Sequence, residues 1–260
     1  MNNLEREMIE VLKKLKNEYG VFEIKAEFEA EGSRMEEMMR LKDVTSSVGL
    51  PIIVKIGGVE AVTDIYNALS IGVKGIVAPM VETPFAMSKY INMIQTMVAE
   101  DNAKDIEFAF NMESRTALEN LLYIINRRGN EVVSSMTIGR VDLSSSIGIP
   151  REEINTSDLL IHKCSEALEI AKWSGKKTAL GGGISTESLP IIKELGERKL
   201  LYKFETRKVV FPTEAHKHGS PAILEAVKFE LLWLKSKRRY YSRIKAEDEK
   251  RIEMLEARLK

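Results

Sequence analysis

Cysteine occurs once, at Cys164, and histidine three times, at His162, His216 and His218. A lone thiol excludes an intrachain disulfide framework. So small a stock of sulfur and imidazole also excludes a zinc centre built from Cys and His, and a reducing, cytoplasmic setting is the expectation. Net charge is missing too. With 39 basic residues against 39 acidic ones, the chain has no overall field to draw in nucleic acid or an anionic membrane. No apolar run approaches membrane-spanning length, and the opening stretch NNLEREMIEVLKKLKNEYG mixes acids and bases at helical spacing where a signal peptide has an apolar core. No Pro/Gly/Ser-rich linker interrupts the sequence, which favours one domain over two.

What is present is the composition of an ordinary globular protein, 44% hydrophobic and 30% charged over 260 residues, a length suited to one large α/β barrel. Short β-rich runs alternate with longer helical patterns. VFEIKAEFEA, PIIVKIGG, GIVAPMV, EFAFNME, VVSSMTIGRVD, TALGGGI and LLYKFETRKVVF are each followed by an amphipathic stretch. This order predicts parallel strands joined by crossover helices. Seven strands are readable, so the expected fold is a TIM-type (β/α)8 barrel with one strand missing or irregular. Residues 1–219 form the barrel in this reading, and 220–260 a long helical extension that packs on the barrel or on a neighbouring subunit. Ile252, Leu255 and Leu259 recur there at helical spacing, a stripe that serves intramolecular docking or a subunit contact equally well.

Strand parity carries the strongest signal. In VFEIKAEFEA one face holds Phe22, Ile24, Ala26 and Phe28, and the other Glu23, Lys25, Glu27 and Glu29. EFAFNME and LLYKFETRKV repeat the pattern, with Glu107, Asn111 and Glu113 in one and Lys203, Glu205 and Arg207 in the other. In a barrel the apolar set faces the helices, which points the charges inward, where ions must be paired or bound to a metal. An internal ion network is one outcome, and it is the one expected for Glu23 and Glu107 near the amino ends. At the carboxyl ends, where such barrels place their chemistry, the residues to weigh are Glu27, Glu29, Lys55, Glu113, Asp142 and Arg207. Glu113 and Asp142 could hold Mg²⁺ or Mn²⁺, which usually takes one or two protein carboxylates; Asp142 could equally cap the turn into SSSIG.

The segments GIVAPMVETPFA, FNMES and IGRVDLSSSIG, in this order and spacing, resemble the HpcH/HpaI aldolase and citrate lyase family of the phosphoenolpyruvate/pyruvate barrel superfamily. The likeness runs roughly from Glu23 to Phe211. It implies that Glu113 and Asp142 bind a divalent metal, which holds the carboxylate and keto oxygen of a pyruvate-like 2-oxo acid, and that the reaction makes or breaks a carbon-carbon bond through an enolate. It also implies a multimer with terminal helices between subunits. Two departures stand out: Phe28 follows Glu27 where the aldolase branch has a basic histidine, and Lys55 stands where an arginine commonly grips the 2-oxo acid. Lysine keeps the charge and loses the bidentate geometry, so Arg140 and Arg207 are candidate replacements.

Glu27, or else Glu29, is the candidate for proton relay. His216, in a loop expected at the catalytic end, is a candidate acid or base, with an inert surface histidine as the alternative. Gly182 and Gly183 in LGGGIST, and Gly57 and Gly58 in KIGG, are candidate substrate contacts or simply tight turns. Ser144 is a further candidate contact. The expected partner is a small 2-oxo acid, with no nucleic acid or membrane and with the chain as a homo-oligomer. A phosphoenolpyruvate-using synthase or transferase, an acyl-CoA lyase and a non-catalytic scaffold are the competing readings.

Overall fold

A computed structural model describes residues 1–259. Its elements are, in order, α1 (Asn3–Tyr19), β1 (Glu23–Glu27), α2 (Met35–Ser46), β2 (Ile52–Lys55), α3 (Val62–Ser70), β3 (Gly75–Ala78), α4 (Pro84–Met97), α5 (Glu100–Ala103), β4 (Glu107–Met112) and α6 (Arg115–Glu119). They continue with α7 (Leu121–Ile125), β5 (Ser135–Gly139), α8 (Arg140–Ser146), α9 (Asp158–Trp173), β6 (Lys177–Gly181), α10 (Leu189–Glu197), β7 (Lys203–Glu205), β8 (Val209–Pro212) and α11 (Ser220–Leu259). The eight strands close into a barrel in sequence order.

Local chemistry sets the element ends. Asn2 and Glu5 form a reciprocal capping box at the start of α1, and Gly20, at φ 71°, ends it in the left-handed conformation. Thr83 caps α4 ahead of Pro84, whose fixed φ suits the first helical turn. The strands are buried on both sides. Ile24, Ile52, Ile76, Phe108, Met136, Leu180 and Phe204 pack outward against the helices, while Lys25, Lys203 and Glu205 point into the barrel, Lys25 pairing with Glu205 and Lys203 with Glu23 and Glu107.

The strand missing from the sequence pattern is β8. LLYKFETRKVVF contains two strands, because Thr206 folds a tight turn inside it: its N–H donates to the Val209 carbonyl (2.9 Å), and its Oγ1 accepts from the Val209 N–H (3.1 Å). β8 therefore runs antiparallel to both neighbours, with Glu205 opposite Val210 on one side and Glu23 opposite Val210 on the other. A hairpin replaces the last β-α-β crossover.

That reversal decides where the rest of the chain goes. β8 ends at the amino end of the barrel, and the segment Thr213–His218 lies there as a 3-10 turn. From there α11 climbs beside the barrel, burying Ala222, Ile223, Ala226, Phe229, Leu232, Trp233 and Ser236, largely against α1. Asn2 donates to the Ser236 hydroxyl (3.3 Å), and Lys237 and Tyr241 reach Glu37 (2.8 and 2.6 Å). From Ser242 to Leu259 every residue is exposed. Lys260, the last residue of the expected extension, lies outside the described residues. No helix among the described residues is long and apolar enough to cross a membrane.

Candidate functional site

Inside the barrel the charges sort by height. At the amino end Lys203 binds Glu23 (3.1 Å) and Glu107 (2.8 Å), and Glu107 also holds Lys177 (2.8 Å). Higher up, Lys25 binds Glu205 at 2.5 Å and Glu27 at 3.4 Å. Burial acts to lower the Lys25 pKa, but Glu205 and Glu27 outweigh it and hold the ammonium charged. These pairs are a closed ion network that fills the barrel.

Above it a cavity of about 440 Å³ opens at the carboxyl ends of the strands. Its wall brings together Glu27, Glu29, Lys55, Glu113, Asp142, Gly182, Gly183 and Arg207. Lys25, Asn111, Thr137, Arg151, Glu205 and Glu230 also line it, and sequence reading had not proposed Asn111, Arg151 or Glu230 for the site. Only the fold could have placed Glu230, since it arrives from α11.

Glu113 follows β4 directly and is buried. Its Oε1 accepts the Met80 N–H (3.0 Å), and its Oε2 accepts from the Asn111 side chain (2.9 Å). Burial pushes its pKa up, against the opposing pull of these donors and of Lys55, and the Asp142 charge adds to the rise. Two local features make room for it. Met80 adopts φ 48°, a left-handed conformation unusual for its type, and this aims its N–H at the carboxylate. Gly139 has no side chain, and a Cβ there would stand 2.4 Å from Glu113 Oε2.

Asp142 lies in the first turn of α8, where a negative charge suits the helix dipole. It does not act as the N-cap; that position is Gly139, with no side-chain cap. Among the described residues its carboxylate has no hydrogen bond or ion pair, and it faces the cavity beside Glu113. Asn111 Oδ1 is buried there without a partner. Two carboxylates and an unused amide oxygen on one wall suit a hard divalent cation such as Mg²⁺ or Mn²⁺, which fills its other positions with water and substrate. Among the described residues no group of three or more His, Cys, Asp or Glu forms a full metal cage.

The cations that line the cavity are mostly engaged. Lys55 binds Glu29 at 2.5 Å and lies 3.9 Å from Glu27. Arg207 binds Glu31 (3.2 Å) and approaches Glu27 (3.7 Å) from the tip of the β7–β8 turn. Burial acts to raise the Glu27 pKa, yet Lys25, Lys55, Arg207 and Lys208 together carry it below the ordinary carboxylate value, so Glu27 is held ionised.

Five sequence candidates are not in the cavity. Arg140 is fully buried, donating to the carbonyls of Gly181 and Ile154 and to the side chains of Asn155 and Ser188. Burial lowers its pKa to about 10, and its work is to tie α8 to the segment after β6. Ser144 turns its hydroxyl back onto the Val141 carbonyl (2.8 Å). Gly57 donates to Asp64 (2.7 Å), and neither it nor Gly58 reaches the wall. His216 lies at the amino end, its Nδ1 2.7 Å from the Thr213 carbonyl. The expectation for this loop fails because β8 runs downward. Gly182 is in the wall, at φ 74°, and a Cβ would stand 2.5 Å from the Arg140 N; it lets the β6 loop close onto α8.

The closed barrel, with acids and cations lining a cavity at the carboxyl ends of its strands, is by its family match a barrel of the lyase/aldolase type. The chain belongs to the HpcH/HpaI aldolase/citrate lyase family, whose model matches residues 33–178. Solved structures share the fold at low sequence identity. An HpcH/HpaI aldolase from Desulfitobacterium hafniense DCB-2 is 15% identical, with a TM-score of 0.59 over 75% of this chain and 80% of that one. The citrate synthase SbnG is 18% identical, with a TM-score of 0.60 over 77% and 81%. A family protein from Burkholderia cenocepacia J2315 is 13% identical, with a TM-score of 0.59 over 94% and 100%. A search of curated proteins gave no significant match.

Proposed function

We propose that the protein is a divalent-metal-dependent carbon-carbon lyase or aldolase acting on a pyruvate-like 2-oxo acid. The observation that carries this reading is the placement of Glu113 and Asp142 on one wall of the cavity with Lys55 and Arg207 lining it as well. Glu113 and Asp142 would hold Mg²⁺ or Mn²⁺. When bound, such an ion supplies Lewis-acid stabilisation for the negative charge that develops beside a carbonyl as the carbon-carbon bond breaks.

The chain's own groups do the rest. Lys55 and Arg207 attract the substrate carboxylate as charges while Glu29, Glu31 and Glu27 hold them in place. A glutamate ringed by four cations is a weak base, so Glu27 orients Lys55 and Arg207. Glu29 pairs with Lys55 alone among the described residues and is the better-placed proton relay. The buried ion network beneath keeps these side chains from collapsing into the barrel. A free, buried Cys164 suits a reducing compartment, which makes the cytoplasm the proposed place of action.

The test is pyruvate release from 4-hydroxy-2-oxo acids, followed with and without Mg²⁺ or Mn²⁺. Turnover should vanish on chelation and return on adding either ion. Cleavage that is indifferent to chelator, or a Glu113→Gln variant that binds Mn²⁺ as tightly as the parent, would rule the reading out.

A further inference from the structure

One cation of the cavity wall has no partner. Lys25 is held by Glu205 and Glu27, Lys55 by Glu29, and Arg207 by Glu31 and Glu27. Arg151, which lines the same wall, has no ion pair among the described residues. It begins the 3-10 turn Arg151–Glu153 and is exposed. Glu152 and Glu153 beside it are exposed too, lie outside the wall, and do not pair with it.

The glycines of LGGGIST border the same space. Gly182, Gly183 and Ile184 line the cavity, and their three N–H groups donate to nothing among the described residues. At the ends of β1 and β2 the first N–H beyond the strand is taken by a neighbour: Phe28 donates to the Lys55 carbonyl (2.8 Å) and Ile56 to the Val77 carbonyl (3.0 Å). The loop after β6 lacks that bond. The Gly181 carbonyl accepts from Arg140 Nε (3.3 Å), and the Gly183 carbonyl from the Ser188 hydroxyl (3.5 Å). A trans peptide points its N–H opposite to its carbonyl, so the Gly182 and Ile184 N–H groups turn away from Arg140 and Ser188. Gly182 and Gly183 hold φ of 74° and 65°, and successive N–H groups in such a turn form an anion-binding hollow.

Arg140 locks Arg151 to this loop. Buried beneath both segments, it donates to Gly181 and Ser188 on one side, and to the Ile154 carbonyl and the Asn155 side chain just past the Arg151 turn on the other. A Cβ on Gly183 would stand 3.2 Å from Ile154 Cδ1, so the two segments touch. Arg140 is thus a positioning residue, and the donors are arranged before any ligand arrives.

We propose that Arg151 and the N–H groups of Gly182, Gly183 and Ile184 form a subsite for a phosphate monoester at the far end of the substrate, so that the lyase releases, or condenses with, a phosphorylated aldehyde. What the phosphate is attached to rests on the proposed lyase reading; the binding does not. Three backbone donors and a guanidinium from two segments match a group with three free oxygens and a charge of about −1.5 to −2. A second carboxylate, with two oxygens in one plane and a single charge, would leave donors idle. The cavity, about 440 Å³, has room beyond a three-carbon acid. The step balances without a further reactant. The carbon-carbon bond opens, the hydroxyl proton leaves as the aldehyde forms, the enolate on the 2-oxo acid half takes up a proton, and the phosphate ester stays intact.

Calorimetry with inorganic phosphate on the full chain, in chelator so that no divalent ion is present, reads the subsite itself. Phosphate should bind the parent, and Arg151→Gln should weaken it by about 10-fold or more, the loss expected for a charge-assisted hydrogen bond. Lys193→Gln, at an exposed cation of α10 outside the wall, should not change it. Arg151 is exposed, so circular dichroism of its variant should match the parent's. A second arm follows addition of pyruvate to glyceraldehyde, glyceraldehyde 3-phosphate and succinic semialdehyde with Mg²⁺. The parent should favour the phosphorylated aldehyde in kcat/KM by about 10-fold or more, chiefly through KM, and R151Q should erase the preference. If phosphate binds through Arg151 and no aldehyde turns over, the subsite stands and the lyase reading fails. If aldehydes turn over without preference for the phosphate, or with preference for the carboxylate tail, the proposal is overturned. It is overturned equally if phosphate fails to bind the parent, or binds the parent and R151Q alike.

Discussion

At the scale of single residues the site depends on a side chain that is not there. Glu113 fits because Gly139 contributes no Cβ to the space its carboxylate occupies. Gly139→Ala should push that carboxylate off the Met80 and Asn111 donors and weaken Mn²⁺ binding by about 10-fold, the lower end of what displaced supporting contacts cost metal sites. Titration calorimetry with Mn²⁺ reads this directly. Gly58→Ala is the control, because a Cβ there meets open space, and it should leave the affinity unchanged. Glu113 was legible in the sequence as a charge at the end of an inward-facing strand face; Asp142 was legible only as an acid near a strand end, and the structure places it in the first turn of α8. Met80 was not legible. Its left-handed backbone leaves no mark on hydrophobic period or on residue type, and a methionine after a proline reads as ordinary packing. Arg140 misled for the opposite reason: a cation beside a catalytic-looking aspartate reads as functional until its burial among neutral acceptors is seen.

At the scale of elements, alternation exposed six strands cleanly and merged the last two. A strand pattern records which residues alternate, but not the direction of the backbone after a tight turn. Thr206 and the charged pair after it gave too weak a turn signal, without Gly, Pro or Asn, to split the run. His216 was misplaced by the same omission. Helix α11 was legible as a helix, yet its double use was not, since one side packs on α1 while Val227 and Glu230, in its first third, reach the cavity. Phe229 anchors the packed side with no exposure. Phe229→Ala should therefore cost about 3–5 kcal/mol in urea unfolding, the usual range for an emptied aromatic core position. A loss below about 1 kcal/mol would mean that α11 contributes little to holding the barrel.

At the scale of the whole molecule, the interior is an electrostatic assembly as well as a hydrophobic one, and its pH dependence has a defined sign. The Glu27 pKa is depressed in the folded state, so near and below the ordinary carboxylate value the unfolded chain takes up more protons than the native one. Its contribution is present above that value and is lost as pH falls through the depressed one. Glu107 is depressed as well: burial acts to raise it, but Lys203 and Lys177 prevail. Glu27→Gln should lower stability near neutral pH by about 3 kcal/mol, because it leaves Lys25 and its neighbours short of a counter-charge. It should also flatten the fall in stability on acidification. Urea midpoints measured from neutral to acid pH check both effects, and an unchanged slope would show that Glu27 is not part of the coupled network.

The downward run of β8 has one more consequence. The barrel is sealed by pairing Glu23 with Val210, near opposite ends of the chain, and the sealing strand is delivered by a hairpin that is made late. A growing polypeptide on the ribosome must therefore carry six finished strands as an open, curved sheet with two raw edges, β1 and β6, until that hairpin clears the exit tunnel. Chaperone demand should peak in this interval and drop sharply once the last fifth of the chain has been translated.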